Sequence, residues 1–269
     1  LGVDGVMLLG AFGAYWTILE TRNPVAGILV GIAVGLVMGL VYGVITVSLR
    51  AEQGISGIGI FLFGLGISDL LFQKKVGTPI PIRGFGDLHI PLLADIPKVG
   101  EMFFQHSVLV YIAFLLVPVV AFLLNRTTFG LNVRAVGENP AAADSLGVSV
   151  VRVRYTTVLL ANGLAGLAGA VLAAELGIFQ QNLTNGQGFI AIALVYFGAW
   201  RPMGVMAGAL LFGMVSATVL QWKTLGLVSG AASSLTAMAP AVLTILALVV
   251  ISRTVGQPAA LTRPFDRGH

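Results

Sequence analysis

Amides and hydroxyls gather in one short stretch, Gln180, Gln181, Asn182, Thr184, Asn185 and Gln187, with Glu175 before them and Phe179 and Phe189 flanking them. Asn162 upstream, and Ser216, Thr218, Gln221 and Trp222 downstream, add neutral polar groups and one more ring. Directional hydrogen bonds from uncharged groups, together with flat aromatic faces, suit a neutral, hydroxyl-rich solute that carries a ring. The same residues also fit a solvated outer loop and ordinary interhelical hydrogen bonds, and both readings stay open. The candidate pathway residues are Asn162, Phe179, Gln180, Gln181, Asn182, Asn185, Gln187, Phe189, Ser216 and Gln221.

A second constellation suits mechanical rather than chemical work. Gly137, Glu138, Asn139, Pro140, Ala141, Ala142, Ala143, Asp144, Ser145, Leu146 and Gly147 form a polar island between two apolar stretches. Asn139 is suited to accept from the free N–H groups of a first helical turn, Pro140 is preset for the first helical position, and Gly147 can close the far end in a left-handed conformation. The spacing predicts a short, capped helix outside the bilayer, flanked by Arg126 and Arg134 on one side and Arg152 and Arg154 on the other. A stiff knob on a basic face is suited to a partner.

Covalent chemistry has little to stand on. No lysine follows a glycine in a phosphate-cradling loop. His89, His106 and His269 are scattered without metal-ligand spacing, so no metal site is expected. No serine or threonine has a matched histidine and acid, and the absence of cysteine removes disulfides, thiolate sites and thiol nucleophiles. Asp4, Asp69 and Glu175 fall near the ends of apolar runs, where snorkelling to headgroups costs little, which leaves the span centres nearly free of charge and argues against proton coupling.

The elements that must carry these residues follow from composition. Hydrophobic residues make up 57% of 269 positions and charged residues 10%, with a mean hydropathy of +0.96. Soluble domains carry roughly 25% charged residues. The chain is an integral membrane protein, and its apolar runs are too long for barrel strands, so the expected fold is all-α and polytopic. Spans are expected near 5–19, 25–49, 54–72, 107–125, 155–176, 187–200, 203–222 and 236–252, eight transmembrane or re-entrant helices, of which 187–200 is short enough to be re-entrant. With 126–154 inside, Arg50, Arg126, Arg134, Arg152, Arg154, Arg201, Arg253, Arg263 and Arg267 are cytoplasmic, against Arg22, Lys74, Lys75, Arg83, Lys98 and Lys223 outside. That bias fits the positive-inside rule, and the dispersed basic residues suit lipid headgroups rather than nucleic acid.

Gly27, Gly31, Gly35, Gly39 and Gly43 recur at every fourth position, about 40° past each full turn, so they sweep a groove rather than a line. Small residues let helix backbones approach where lipid supplies no hydrophobic drive. Gly163, Gly166 and Gly169, and Gly204, Gly208 and Gly213, are expected to serve the same packing role. The 73–106 loop, rich in proline and glycine, cannot be a continuous helix, and Ile90 to Phe104 suits an outer-surface segment.

The Arg134 to Gly147 stretch resembles the coupling-loop motif of bacterial ABC importer permeases of the branched-chain amino acid, ribose and nucleoside type. Gly186 to Leu194, running on through Phe197-Gly198-Ala199-Trp200-Arg201-Pro202-Met203-Gly204, and Ile90 to Pro97 resemble the nucleoside and simple-sugar members. Gly2-Val3-Asp4-Gly5-Val6-Met7 is similar to a family segment that carries Glu where Asp4 stands and that follows an earlier hydrophobic helix, which implies a span before Leu1. The resemblance implies a single permease domain over 1–269, with an external loop 73–106, a cytoplasmic coupling loop 126–154 and a cytoplasmic tail 253–269. It implies a bacterial inner-membrane subunit that is not itself an enzyme and holds no cofactor, ATP and Mg being bound by separate ATPase subunits. Further partners would be a second permease, identical or not, an external lipoprotein or periplasmic binding protein, and lipid. The solute would be a nucleoside or a simple sugar; an autonomous secondary transporter or channel for a small neutral solute is the alternative.

Overall fold

Lipid offers a peptide backbone no hydrogen-bond partners, so the apolar runs close their own bonds as helices. The computed structural model describes residues 1–89, 105–226, 236, 238, 239, 242 and 256–265. In chain order the helices are α1 (Val3–Thr21), α2 (Pro24–Gly43), which continues as a π-helical turn over Val44–Ser48, and α3 (Gln53–Lys75). They continue as α4 (Val108–Arg126), α5 (Thr128–Glu138), α6 (Pro140–Ser145), α7 (Val150–Leu176), α8 (Gln187–Phe197) and α9 (Pro202–Thr224). The all-α expectation holds, with one addition in the proline-rich loop: strands β1 (Asp87–His89) and β2 (Gln105–Ser107) pair antiparallel, Leu88 opposite His106. The expected surface segment Ile90 to Phe104 and nearly all of the expected span 236–252 lie outside the described residues.

Helix α1 is the hub. Val6, Leu8, Ala11, Ala14 and Tyr15 are wholly enclosed, and α2, α3 and α7 pack around them. A helix apolar on every side belongs inside, and between Asp4 and the Thr17 to Thr21 end α1 is apolar on every side. Helices α2 with its π turn, α3, α4, α7 and α9 are long and apolar enough to cross a membrane, and α8 is a shorter apolar helix. Pro118 lies inside α4, where it removes one backbone bond.

The glycine groove is read out along its length. A methyl group on Gly27 would strike Ile18 of α1, one on Gly31 would strike Ala170 of α7, one on Gly35 the Asn162 carbonyl at 2.3 Å, and one on Gly43 the Tyr155 ring. The groove therefore turns from α1 to α7, as a four-residue repeat requires. Gly166 answers from the α7 side, its Cβ position lying 2.3 Å from the Gly31 carbonyl oxygen. Replacing Gly166 by Leu is expected to force these backbones apart, at a cost of about 3 kcal/mol or more, because neither wall is a side chain that can yield. Loss of the monodisperse peak in detergent chromatography is the measurement. Gly213 does not share this role among the described residues: nothing lies within 4 Å of its Cβ position.

The two ends of the bundle are fixed by cross-contacts. At one end the Ser48 and Tyr155 hydroxyls meet, which puts the π turn, Arg50 and the start of α7 together. At the other, the Tyr15 hydroxyl donates to the Ile80 carbonyl (2.9 Å), Ile82 N–H donates to the Gly177 carbonyl (2.7 Å), and the Lys75 ammonium lies over the Trp16 ring. The arginine-rich end thus holds Arg50 and Arg154, and Lys74 and Lys75 lie at the opposite one.

Glu52 caps α3, accepting from the N–H groups of Ile55 and Gly54, and these bonds hold its carboxyl below the usual carboxylate range. A lowered folded-state pKa means that the cap is fully present above the ordinary carboxylate range and is lost as pH falls through the lowered value. Amide exchange at Gly54 and Ile55, corrected for intrinsic chemistry, is expected to accelerate through that acid window and to show no such step in Glu52→Gln. Matching profiles would contradict the cap.

Candidate functional site

The capped island folds as its residue types dictate. Asn139 is extended (φ −145°), its Oδ1 accepts from Ala142 N–H at 3.0 Å, and Pro140 opens α6. Gly147 closes the helix at φ +87°, a conformation costly for any residue with a Cβ, and its N–H donates to the Asp144 carbonyl. At six residues α6 is too short to persist alone, since isolated helices under about 12 residues are marginal in water. It is held from below by a small apolar cluster, Val136, Ala143 and Val150, each buried, with Phe265 packed against it. The other face is bare: Glu138, Asn139, Ala141, Ala142 and Ser145 are exposed, and Leu146 stands 85% exposed. Helix α6 is a rigid knob with an apolar tip at the arginine-rich end, joined directly to α5 and α7.

The polar stretch takes a different form. Gly177 ends α7, and residues 181–186 follow as consecutive turns, with Asn182 and Asn185 in the left-handed region that asparagine tolerates. Gln180, Gln181, Asn182, Asn185 and Gln187 are exposed, while Leu183 and Thr184 point inward and are buried. Phe189 is partly exposed and meets Phe61 edge-on at 5.0 Å. Phe179 is wholly enclosed, in ring contact with Phe12, Tyr15 and Phe72. Asn162 lies on α7 against Gly35 and Gly39 of α2, its amide donating to the Val158 carbonyl. Ser216 and Gln221 are on α9, which packs against α8 and α4. The exposed amides thus share one turn segment, Phe179 is enclosed apart from them, and Asn162, Ser216 and Gln221 lie on α7 and α9.

One residue departs from expectation. Asp4 does not lie at a membrane surface: it is 1% exposed, and its neighbour Gly5 packs on Phe61 and Gly64. Gly64 is the midpoint of α3, about 16 Å from either end at 1.5 Å per residue. The start of this apolar run does not mark a bilayer boundary, because α1 begins beside the middle of α3. The carboxylate is engaged at both oxygens, by the Thr184 hydroxyl at 3.0 Å and by Gly188 N–H at 2.7 Å. Thr184 is 0% exposed. Gly188 permits the approach, because a Cβ there would come within 2.5 Å of the Asp4 backbone.

Helix α8 consequently starts at the bundle centre. It spans Gln187–Phe197, shorter than the expected 187–200, and the chain turns through Gly198 to Arg201 before α9. Of its first N–H groups, Gln187 donates to Thr184, Phe189 and Ile190 to Gly186, and Gly188 to Asp4. Half-helices whose N-termini open at the midplane commonly present that positive end to an anionic solute. Here the chain's own carboxylate occupies it. Asp69 differs: its Oδ1 is buried with no hydrogen-bond partner among the described residues, while the exposed Glu175 at the end of α7 accepts from the Ser107 hydroxyl.

Comparisons with known proteins agree on one class. The family model for the permease component of branched-chain amino acid transport systems matches residues 1–253. A putative glucose ABC transporter permease of Haloferax volcanii, TsgC13, is 38% identical over 232 residues, 84% of this chain and 70% of that protein. The guanosine ABC transporter permease NupQ of Bacillus subtilis is 34% identical over an alignment of 283 positions that covers this whole chain and 88% of the relative. The nucleoside ABC transporter permease NupC of Lactococcus lactis is 35% identical over 260 residues, 93% of this chain and 82% of that protein. No solved structure gives a significant match.

Proposed function

We propose a specific task for this chain, which belongs to the family of branched-chain amino acid transport system permease components: it carries a neutral nucleoside-like or simple-sugar solute. The chain is a multi-pass plasma-membrane permease subunit of an ABC importer, a transport component. That membership removes the autonomous secondary transporter as an alternative.

The observation that carries the mechanism is α6, a capped knob whose Leu146 tip is 85% exposed while its underside is anchored in the protein. Under this reading α6 seats on a separate cytoplasmic ATPase subunit that binds ATP and Mg, and closure of two such subunits moves α5 and α7 through their direct connections to it. A second permease subunit and an external binding protein complete the assembly, with the 126–154 loop and the tail inside and the 73–106 loop outside. Three features support a neutral solute. The relatives' names specify glucose, guanosine and nucleosides. The exposed groups of the 180–187 segment are mainly amides, and the partly exposed Phe189 ring follows them in α8. Asp4 already neutralises the α8 N-terminus, where a carboxylate-bearing solute would otherwise be drawn.

The test is uptake into proteoliposomes that hold the permease, its co-purified ATPase and its binding protein, with labelled guanosine and labelled glucose as probes. ATP-dependent accumulation of one of them is expected. Equal flux through the permease alone, without ATP, would refute the reading, and ATP-driven uptake of a charged amino acid in place of both probes would refute the solute class.

A further inference from the structure

The coupling knob has a third tether that its neighbours in sequence do not explain. Residues 256–265 return to it after the apolar stretch 236–252. Ala260 N–H donates to the Gly137 carbonyl at 3.0 Å, Pro258 lies 3.9 Å from the Cβ position of Gly137, and the Phe265 ring joins Val136, Ala143 and Val150 beneath α6. The segment has a built shape: Leu261 N–H donates to the Pro258 carbonyl and Arg263 N–H to the Ala260 carbonyl, with Thr262 in the left-handed region. Gly137 and Val136 are the last turn of α5, Ala143 belongs to α6, and Val150 opens α7. Phe265 thus packs against the cluster to which all three elements at the knob contribute. With Ala135, Val148 and Val153, it closes the buried side of a six-residue helix.

We propose that Pro258 to Phe265 form a strap that positions α6 on α5 and α7, so that movement of the knob is passed to those two helices without slack. Phe265 and Ala260 are positioning residues, and the inference rests on the reading of α6 as the ATPase contact. A strap of this kind sets how faithfully ATP turnover is converted into solute movement, not whether ATP is hydrolysed.

The test measures uptake and ATP hydrolysis together in the assembled transporter in proteoliposomes, for Phe265→Ala, Phe265→Leu and Ala260→Pro, which removes the N–H donor. Solute moved per ATP is expected to fall on the order of fivefold or more in Phe265→Ala and Ala260→Pro, with hydrolysis retained, and to recover in Phe265→Leu. An unchanged ratio in both damaging variants overturns the strap. If Phe265→Ala prevents assembly, Ala260→Pro decides: a normal ratio there also overturns it. Substitution of α6 itself keeps the two ideas apart. Silent strap variants beside an inactive α6 variant remove the strap alone, whereas silence in both removes the role of α6.

Discussion

Asp4→Leu is expected to abolish transport and to destabilise the protein by about 2–6 kcal/mol. The substitution leaves the Gly188 N–H and the Thr184 hydroxyl without acceptors in an enclosed apolar site, at about 1–3 kcal/mol each. It also unpins the N-terminus of α8 from the hub helix, so the turn segment 181–186 that leads into α8 loses its anchor. Asp4→Asn separates shape from charge. Its amide oxygen can still accept from Gly188 and its NH2 group can donate to the Thr184 oxygen, so most of the fold should survive, while the α8 N-terminus loses its compensating anion. The measurements are thermal unfolding in detergent and ATP-driven uptake. The predicted order is wild type, then Asn, then Leu, in both; an Asp4→Leu protein with wild-type stability and uptake would remove the clasp from the account.

Replacing Glu138, Asn139 and Pro140 together by alanine is expected to reduce ATP-dependent uptake by about 100-fold, within the range of coupling energies seen between sites. The loss of the Asn139 cap alone is worth about 0.5–2 kcal/mol, a large share for a helix of six residues. Glu138 and Asn139 are exposed and face away from the apolar bundle, so insertion into the membrane should be unaffected. Quantities of inserted protein, ATP turnover and uptake are read in the same preparation. Normal uptake by the triple variant would contradict the assigned role.

What the sequence made legible is local. The α6 knob was readable because its cap, its proline and its closing glycine act within six residues of one another, where stereochemistry alone decides. The glycine groove was readable for the same reason: a four-residue repeat has a fixed angular drift, and its turn from α1 to α7 follows. Asp4 was misplaced because its partners are 180 and 184 residues away. The depth of a helix start cannot be read from an apolar run, since a run that begins at the bundle centre looks like one that begins at a headgroup. A signal was nevertheless present: an acid between Gly2 and Gly5 marks close backbone approach, and Thr184, Gly186 and Gly188 mark a tight entry into a helix. Phe179 illustrates a second limit. Beside a polar loop an aromatic reads as a solute platform, yet its neighbours Phe12, Tyr15 and Phe72 come from distant segments and enclose it. The strap left no periodic trace at all, because it is made of turns and one ring.

The central claim is that the α6 knob faces the cytoplasm and is held there by an ATPase. The chain contains no cysteine, so Leu146→Cys provides a single thiol at the exposed tip of the knob. In intact cells carrying the complete transporter, that thiol is predicted to resist a membrane-impermeant maleimide added outside and, after lysis, to cross-link to the ATPase subunit through a short bifunctional maleimide. Labelling from the outside, or active transport with no cross-link to the ATPase, would contradict it.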